Sequence, residues 1–191
     1  MLRDEISKRE ANRVPMDAAR RPMEVNLFGP ARLTQLCLPH MRVQKSGTII
    51  NIFSIGGKIA GPLAGCYHAS KFALEGWSDA LRNEVRAFGI NVVVIEPGAI
   101  QSEWSDIAAE EARRYSGSGA YAQLVTGFSK TVEWARNAPS PAVISNQIVR
   151  ALNARRPKTR YAAGMMARPM LFLRPWLSDR MFDRLTMMFF Q

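Results

Sequence analysis

Two cysteines in 191 residues, Cys37 and Cys66, are too few for a disulfide framework and lack metal-site spacing. With His40 and His68 as the sole histidines, no structural zinc site is expected and no metal is assigned. No uncharged apolar run approaches the ~18–20 residues of a membrane span. The first ten residues mix charged and polar groups without an apolar stretch, so no secretory leader is visible. A reducing, cytoplasmic setting is the expectation. Acidic groups are scarce at one end: positions 150–191 carry nine Lys or Arg and two Asp or Glu, against 26 and 16 in the whole chain, whose net charge is +10. No base-stacking module accompanies that excess, which argues against a nucleic-acid partner. A solvated basic surface is the plain reading, and weak peripheral contact with an anionic membrane is the second.

At 47% hydrophobic and 22% charged, the chain has globular composition and a length that suits one domain. Apolar residues recur at helical spacing from Met16 to Val43, interrupted by Pro22 and Gly29-Pro30, which predicts a kinked helix or two short ones. Thr48 to Phe53 reads as a β-branched strand buried on both faces. A Gly- and Pro-containing loop follows to Gly65, then a helix from about Tyr67 to Phe88 closed by Gly89. Asn91 to Ile95 is a second buried strand, stopped by Pro97-Gly98. Helices are predicted over 102–114 and 120–136, parted at Ser116 to Gly119, and another from Ser140, as N-cap, with Pro141 first, to about Asn153. Lys158 to Ala162 suggests a third strand, and an apolar, basic tail follows. Strands alternating with helices are the grammar of a parallel α/β sheet.

Tyr67 and Lys71 stand four apart at the start of the long helix and so share one face. An ammonium beside a phenol favours the phenolate, and a tyrosine so placed can exchange a proton with a carbonyl or alcohol oxygen. Ser54, 13 residues earlier, sits at the carboxyl end of the first strand, where open α/β sheets bind ligands. Asn26 lies 28 residues before Ser54 on the first helix. Cys66 beside Tyr67 is read as a packed thiol and His68 as a surface residue.

Asn26 in Val-Asn-Leu-Phe-Gly, Thr48 to Ser54, Tyr67-x-x-x-Lys71 and Asn91-Val-Val-Val-Ile-Glu-Pro-Gly98 together resemble the catalytic half of the short-chain dehydrogenase/reductase family. The resemblance covers about 14–161. It implies a Rossmann-like α/β fold, a doubly wound parallel sheet here only partial, with the N-terminal strands missing. It implies hydride transfer between an alcohol and a ketone or aldehyde, with NAD(H) or NADP(H). Tyr67 would be the acid/base, Lys71 would lower its pKa and bind the nicotinamide ribose, and Ser54 would polarise the carbonyl. Asn26 would hold a water relaying to Lys71. Pro97, Gly98 and the Ile100 backbone would line the nicotinamide, with the Ser102 hydroxyl near the carboxamide or phosphates. A homo-oligomer acting on a small molecule is implied as well.

The family's opening Thr-Gly-x-x-x-Gly-x-Gly turn has no counterpart, and Gly117-Ser-Gly119-Ala-Tyr-Ala122 follows a charged helix rather than a strand. By resemblance, then, residues 1–13 are an unmatched leader and 14–164 a truncated domain with 99–141 as its substrate loop. Residues 165–191 are an apolar, basic extension. On that reading cofactor is bound poorly, and the open edge of the first strand invites another chain. The alternative function is a non-catalytic remnant acting through protein or membrane association.

Overall fold

The computed structural model describes residues 14–190; the expected leader at 1–13 lies outside them. Helix α1 (Met16–Met23) continues through a π-helical turn, Glu24–Phe28, into α2 (Gly29–Gln44). The expected kink is therefore an unbroken rod with one widened turn. Pro30 has no N–H for the Asn26 carbonyl, and in the turn just before it Gly29 N–H reaches back five residues to Glu24 O. Lys45, in the left-handed conformation, ends the rod.

Strand β1 (Gly47–Ile52) leads through a one-turn 3-10 segment, Ile55–Gly57, to α3 (Gly65–Val85), which a further turn and Gly89 close. Gly89 takes φ 71, where a side chain would strain the backbone. Strand β2 (Ile90–Pro97) is followed by α4 (Glu103–Ser116), α5 (Ala122–Ala135) and α6 (Ala142–Leu152). The expected Ser140 N-cap is not formed. Pro141 occupies the cap position with no side-chain bond, and the Ser140 carbonyl accepts from Val143 N–H. Strand β3 (Arg160–Ala163) precedes two short helices in the apolar, basic tail, α7 (Ala167–Leu173) and α8 (Asp179–Met188).

The sheet is parallel, in the order β1-β2-β3, with Ile50 opposite Val93 and Ile95 opposite Tyr161. Alternation along β2 supplies both layers. Val92 and Ile90 pack with Leu38 of α2 and Leu81 and Val85 of α3, and Val94 with Phe53 and Leu74. Val93 and Ile95 turn to the opposite face, against Ile144 and Ala151 of α6. Helices α2 and α3 thus cover one side and α6 the other. Strand β1, expected to be buried on both faces, is half-covered: among the described residues it pairs only with β2, and Ile52 is 45% exposed. Beneath α3, the Asn51 amide donates to the wholly buried Ser78 hydroxyl at 2.8 Å and fixes the helix on the strand. No described helix is long and apolar enough to cross a membrane.

Candidate active site

The carboxyl ends of β1 and β2 and the first turns of α3 meet at one edge of the sheet. Ser54 continues β1 in extended backbone, and its Oγ accepts Gly56 N–H at 3.1 Å, starting the 3-10 turn. That turn lies close on α3: a Cβ on Gly57 would sit 3.0 Å from the Lys71 carbonyl. The Tyr67 phenol faces the Ser54 side chain across this gap, close enough for that hydroxyl to lower its pKa. One helical turn on, the Lys71 ammonium stands 5.8 Å from the Tyr67 ring centroid and donates to Ile52 O at 3.4 Å. The i,i+4 spacing and the strand-end serine therefore converge as the sequence suggested.

Electrostatics depart from that expectation. Burial pushes the Tyr67 phenol above its ordinary value, and the Ser54 hydroxyl only partly offsets this. The same desolvation lowers the Lys71 ammonium. Both shifts favour the neutral forms, so the phenol rests as a proton donor.

The Asn26 amide, in the π turn, donates to Ser70 Oγ at 3.0 Å, and that hydroxyl donates to Tyr67 O at 2.7 Å. Its reach to α3 therefore ends on Ser70, wholly buried between Tyr67 and Lys71, rather than on the lysine ammonium. Pro97 is buried at the end of β2. Gly98 N–H and Ala99 are tied to Ala163 and Met165 by bonds of 2.8–3.0 Å, while Ile100 N–H has no partner among the described residues. Ser102 is exposed in the cap position of α4 and makes no cap bond. Trp104, two residues on, lays its ring 4.8 Å from that of Tyr67. Among the described residues no group of three His, Cys, Asp or Glu could hold a metal.

His68 is not the surface residue that its helix position suggested. Its Nδ1 lies 2.9 Å from Gly56 O and its Nε2 accepts Gly61 N–H at 3.1 Å. Since Gly61 N–H can only donate, the ring is neutral with its proton on Nδ1. It clips both limbs of the Ser54–Gly65 loop to the helix that carries Tyr67. Burial lowers its pKa, the Gly56 bond opposing. The unfolded chain then binds the extra proton first, so stability is lost as pH falls below about 6.5. Thermal midpoints measured from pH 7.5 to 5.5 are expected to fall more steeply in the native chain than in His68→Gln; parallel curves would refute the clip.

Ser70, Trp104 and the role of His68 escaped sequence reading. Ser70, one turn past Tyr67, meets Asn26 across 44 positions and carried no local signal; Trp104, in a helix assigned only by pattern, carried none either. Comparison with known proteins adds what geometry alone lacks. The family model described as short chain dehydrogenase matches residues 6–113, beginning eight residues before the resemblance did. A probable short-chain type dehydrogenase/reductase VdlC of Helicobacter pylori is 33% identical over 175 residues, 90% of this chain and 63% of that protein. An NADPH-dependent 3-dehydrocapnine reductase of Ornithobacterium rhinotracheale is 32% identical over 180 residues, 90% of this chain and 62% of that one. A crystal structure of a short-chain dehydrogenase from Streptomyces avermitilis superposes with a TM-score of 0.69 at 32% identity, covering 91% of this chain and 61% of that one. The chain thus spans about three-fifths of the length of these relatives. It belongs to the short-chain dehydrogenase family.

Proposed function

We propose that the chain interconverts an alcohol and a ketone or aldehyde by hydride transfer with NAD(H) or NADP(H), Tyr67 serving as acid/base. The observation that carries this reading is the Tyr67 phenol facing Ser54 at a sheet edge, with Lys71 one turn behind it. The similarity to an NADPH-dependent reductase supports the cofactor class. The residues fit the nicotinamide end of such a cofactor. The Lys71 ammonium makes a single long bond of 3.4 Å and keeps donors for ribose hydroxyls, and Ile100 N–H is a free donor for a carboxamide. Pro97 and Gly98 would line the ring and Ser102 would add a hydroxyl. A nicotinamide held there would supply the hydride chemistry.

Everything else falls to the chain. In reduction Ser54 donates to the carbonyl oxygen and Tyr67 delivers its proton there, while Lys71 steadies the phenolate left behind. Asn26 acts through Ser70 to hold the first turn of α3 in place. In oxidation the same steps run backwards and need the phenolate first. We assign the activity to the cytoplasm, a reading that the two free cysteines support. The exposed Val25 and Phe28 of the π turn and Leu33 and Leu36 of α2 support a homo-oligomer.

Calorimetric titration with NADH and NADPH tests the reading. Saturable binding, weakened at least tenfold in Lys71→Ala, followed by turnover of some member of a ketone panel, is the expected result. A folded chain that binds neither dinucleotide would overturn it in favour of a non-catalytic partner protein.

A further inference from the structure

The last two helices carry a surface that the hydride chemistry leaves unexplained. Helix α7 buries Ala167 and Met170. On its outer side stand Arg168 and Phe172, and Trp176 in the turn that follows brings its ring 6.4 Å from that of Phe172, the two being 67% and 76% exposed. Helix α8 buries only Phe182. Arg180, Arg184 and Met188 form a stripe at four-residue spacing on its outside, with Met181 beside them. Among the described residues Arg168, Arg180 and Arg184 enter no ion pair, whereas Arg174 is held by Asp179 at 2.7 Å. Asp183 is the one exposed acid left to oppose them on α8, on the neighbouring stripe.

The inner side of the same element is committed. Phe190 stacks on Phe128 with ring centroids 6.1 Å apart, and its backbone comes so close to Gly127 that a Cβ there would collide with it. Thr186 and Phe190 also border Gly61, the residue clipped by His68. The element is therefore anchored over the loop of the candidate site and presents its unpaired cations and large apolar groups outward.

We infer that α7 and α8 form a peripheral docking surface for an anionic lipid bilayer. Charge selects this occupant: three arginines outside any ion pair among the described residues, opposed by Asp183 alone, stand among Phe, Trp and Met, and an anionic interface satisfies both sets together. Aromatic and thioether groups enter the headgroup boundary while guanidinium groups bind lipid phosphates. The helices are too short to span, so the element lies on the surface. Docked in this way, the chain holds the loop over its site at the bilayer. The inference stands apart from the hydride-transfer reading, and its test needs no turnover.

Co-sedimentation of the full chain with vesicles measures it. Phosphatidylcholine vesicles containing phosphatidylglycerol should retain the chain at low salt and release it at high salt, and pure phosphatidylcholine should bind it poorly. Three interfacial arginines correspond to roughly 10²-fold in partition. Arg168→Glu with Arg180→Glu and Arg184→Glu should therefore lower binding by at least that factor, and Phe172→Ala with Trp176→Ala by about tenfold. As control, Arg155→Glu with Arg156→Glu and Lys158→Glu removes the same charge from exposed positions outside the element and should leave most of the binding intact. Equal loss in the control would overturn the inference, because net charge alone would then account for binding. Equal binding to neutral vesicles, or a stable dimer in solution that Trp176→Ala dissociates, would overturn it too.

Discussion

Tyr67→Phe lowers carbonyl turnover by about 10²- to 10⁴-fold, the range for loss of a positioned acid, and leaves the fold standing. Only an oxygen is removed. The ring keeps its contact with Trp104 at 4.8 Å and its edge-on contact with His68 at 5.6 Å, so packing around the site is preserved. Ser54 retains Gly56 N–H. On the proposed chemistry the native chain carries a second signature. Because burial holds the phenol above its ordinary value, Tyr67 is protonated throughout the neutral range, and reduction should be flat with pH there. Oxidation needs the phenolate and should climb steadily into the alkaline range. Initial rates in both directions from pH 6 to 10, for native chain and variant, check both statements. A Phe variant within tenfold of native would remove Tyr67 from the chemistry. Ser54→Ala should cost less, because it removes a polarising group and spares the proton itself.

What could be read without coordinates was whatever the chain encodes locally. The β-branched run of β2, the Gly89 stop of α3 and the four-residue spacing of Tyr67 and Lys71 are short-range patterns, and the structure has all three. The place of Ser54 followed from strand-end logic. What escaped was long-range. Asn26 meets Ser70 across 44 positions, and Arg160 meets Glu75 across 85. No local periodicity announces such a pairing. His68 was misjudged because helical spacing says nothing of a loop folding back over the helix. The Tyr67 shift was misjudged for a related reason: pairing with Lys71 is legible from spacing, whereas desolvation depends on what covers the pair.

Arg160 makes the sharpest stability test, because from β3 it ties together α3 and β2. Its Nε donates to Glu75 of α3 at 2.9 Å, its Nη2 reaches Asp79 at 2.7 Å, and Glu96 of β2 lies 3.6 Å away. Lys58, from the loop after Ser54, shares the same Glu75 carboxylate oxygen. The side chains of Glu75 and Glu96 are 7% and 6% exposed, so two nearly dry carboxylates face one another with Arg160 between them. Arg160→Met removes that cation and should destabilise by about 3–5 kcal/mol, the usual cost of orphaning a buried charge. For a chain of this size that lowers the thermal midpoint by roughly 10 °C. The loss depends on pH with a defined sign. Burial, and after it the charge of Glu75, already raises Glu96 above its ordinary value, with Arg160 and Lys58 pulling it back. A carboxyl raised on folding stabilises below its unfolded pKa and loses that contribution as pH climbs from about 4.3 through the folded value. Removing Arg160 raises Glu96 further, so the variant should recover part of its deficit near pH 5. Arg160→Met combined with Glu96→Gln should recover part of it at neutral pH as well, because the second change abolishes the charge that was left unpaired. Denaturant midpoints at pH 5 and 7.5 measure both effects. A single variant within 1 kcal/mol of native at neutral pH would mean that water, and not Arg160, solvates these carboxylates.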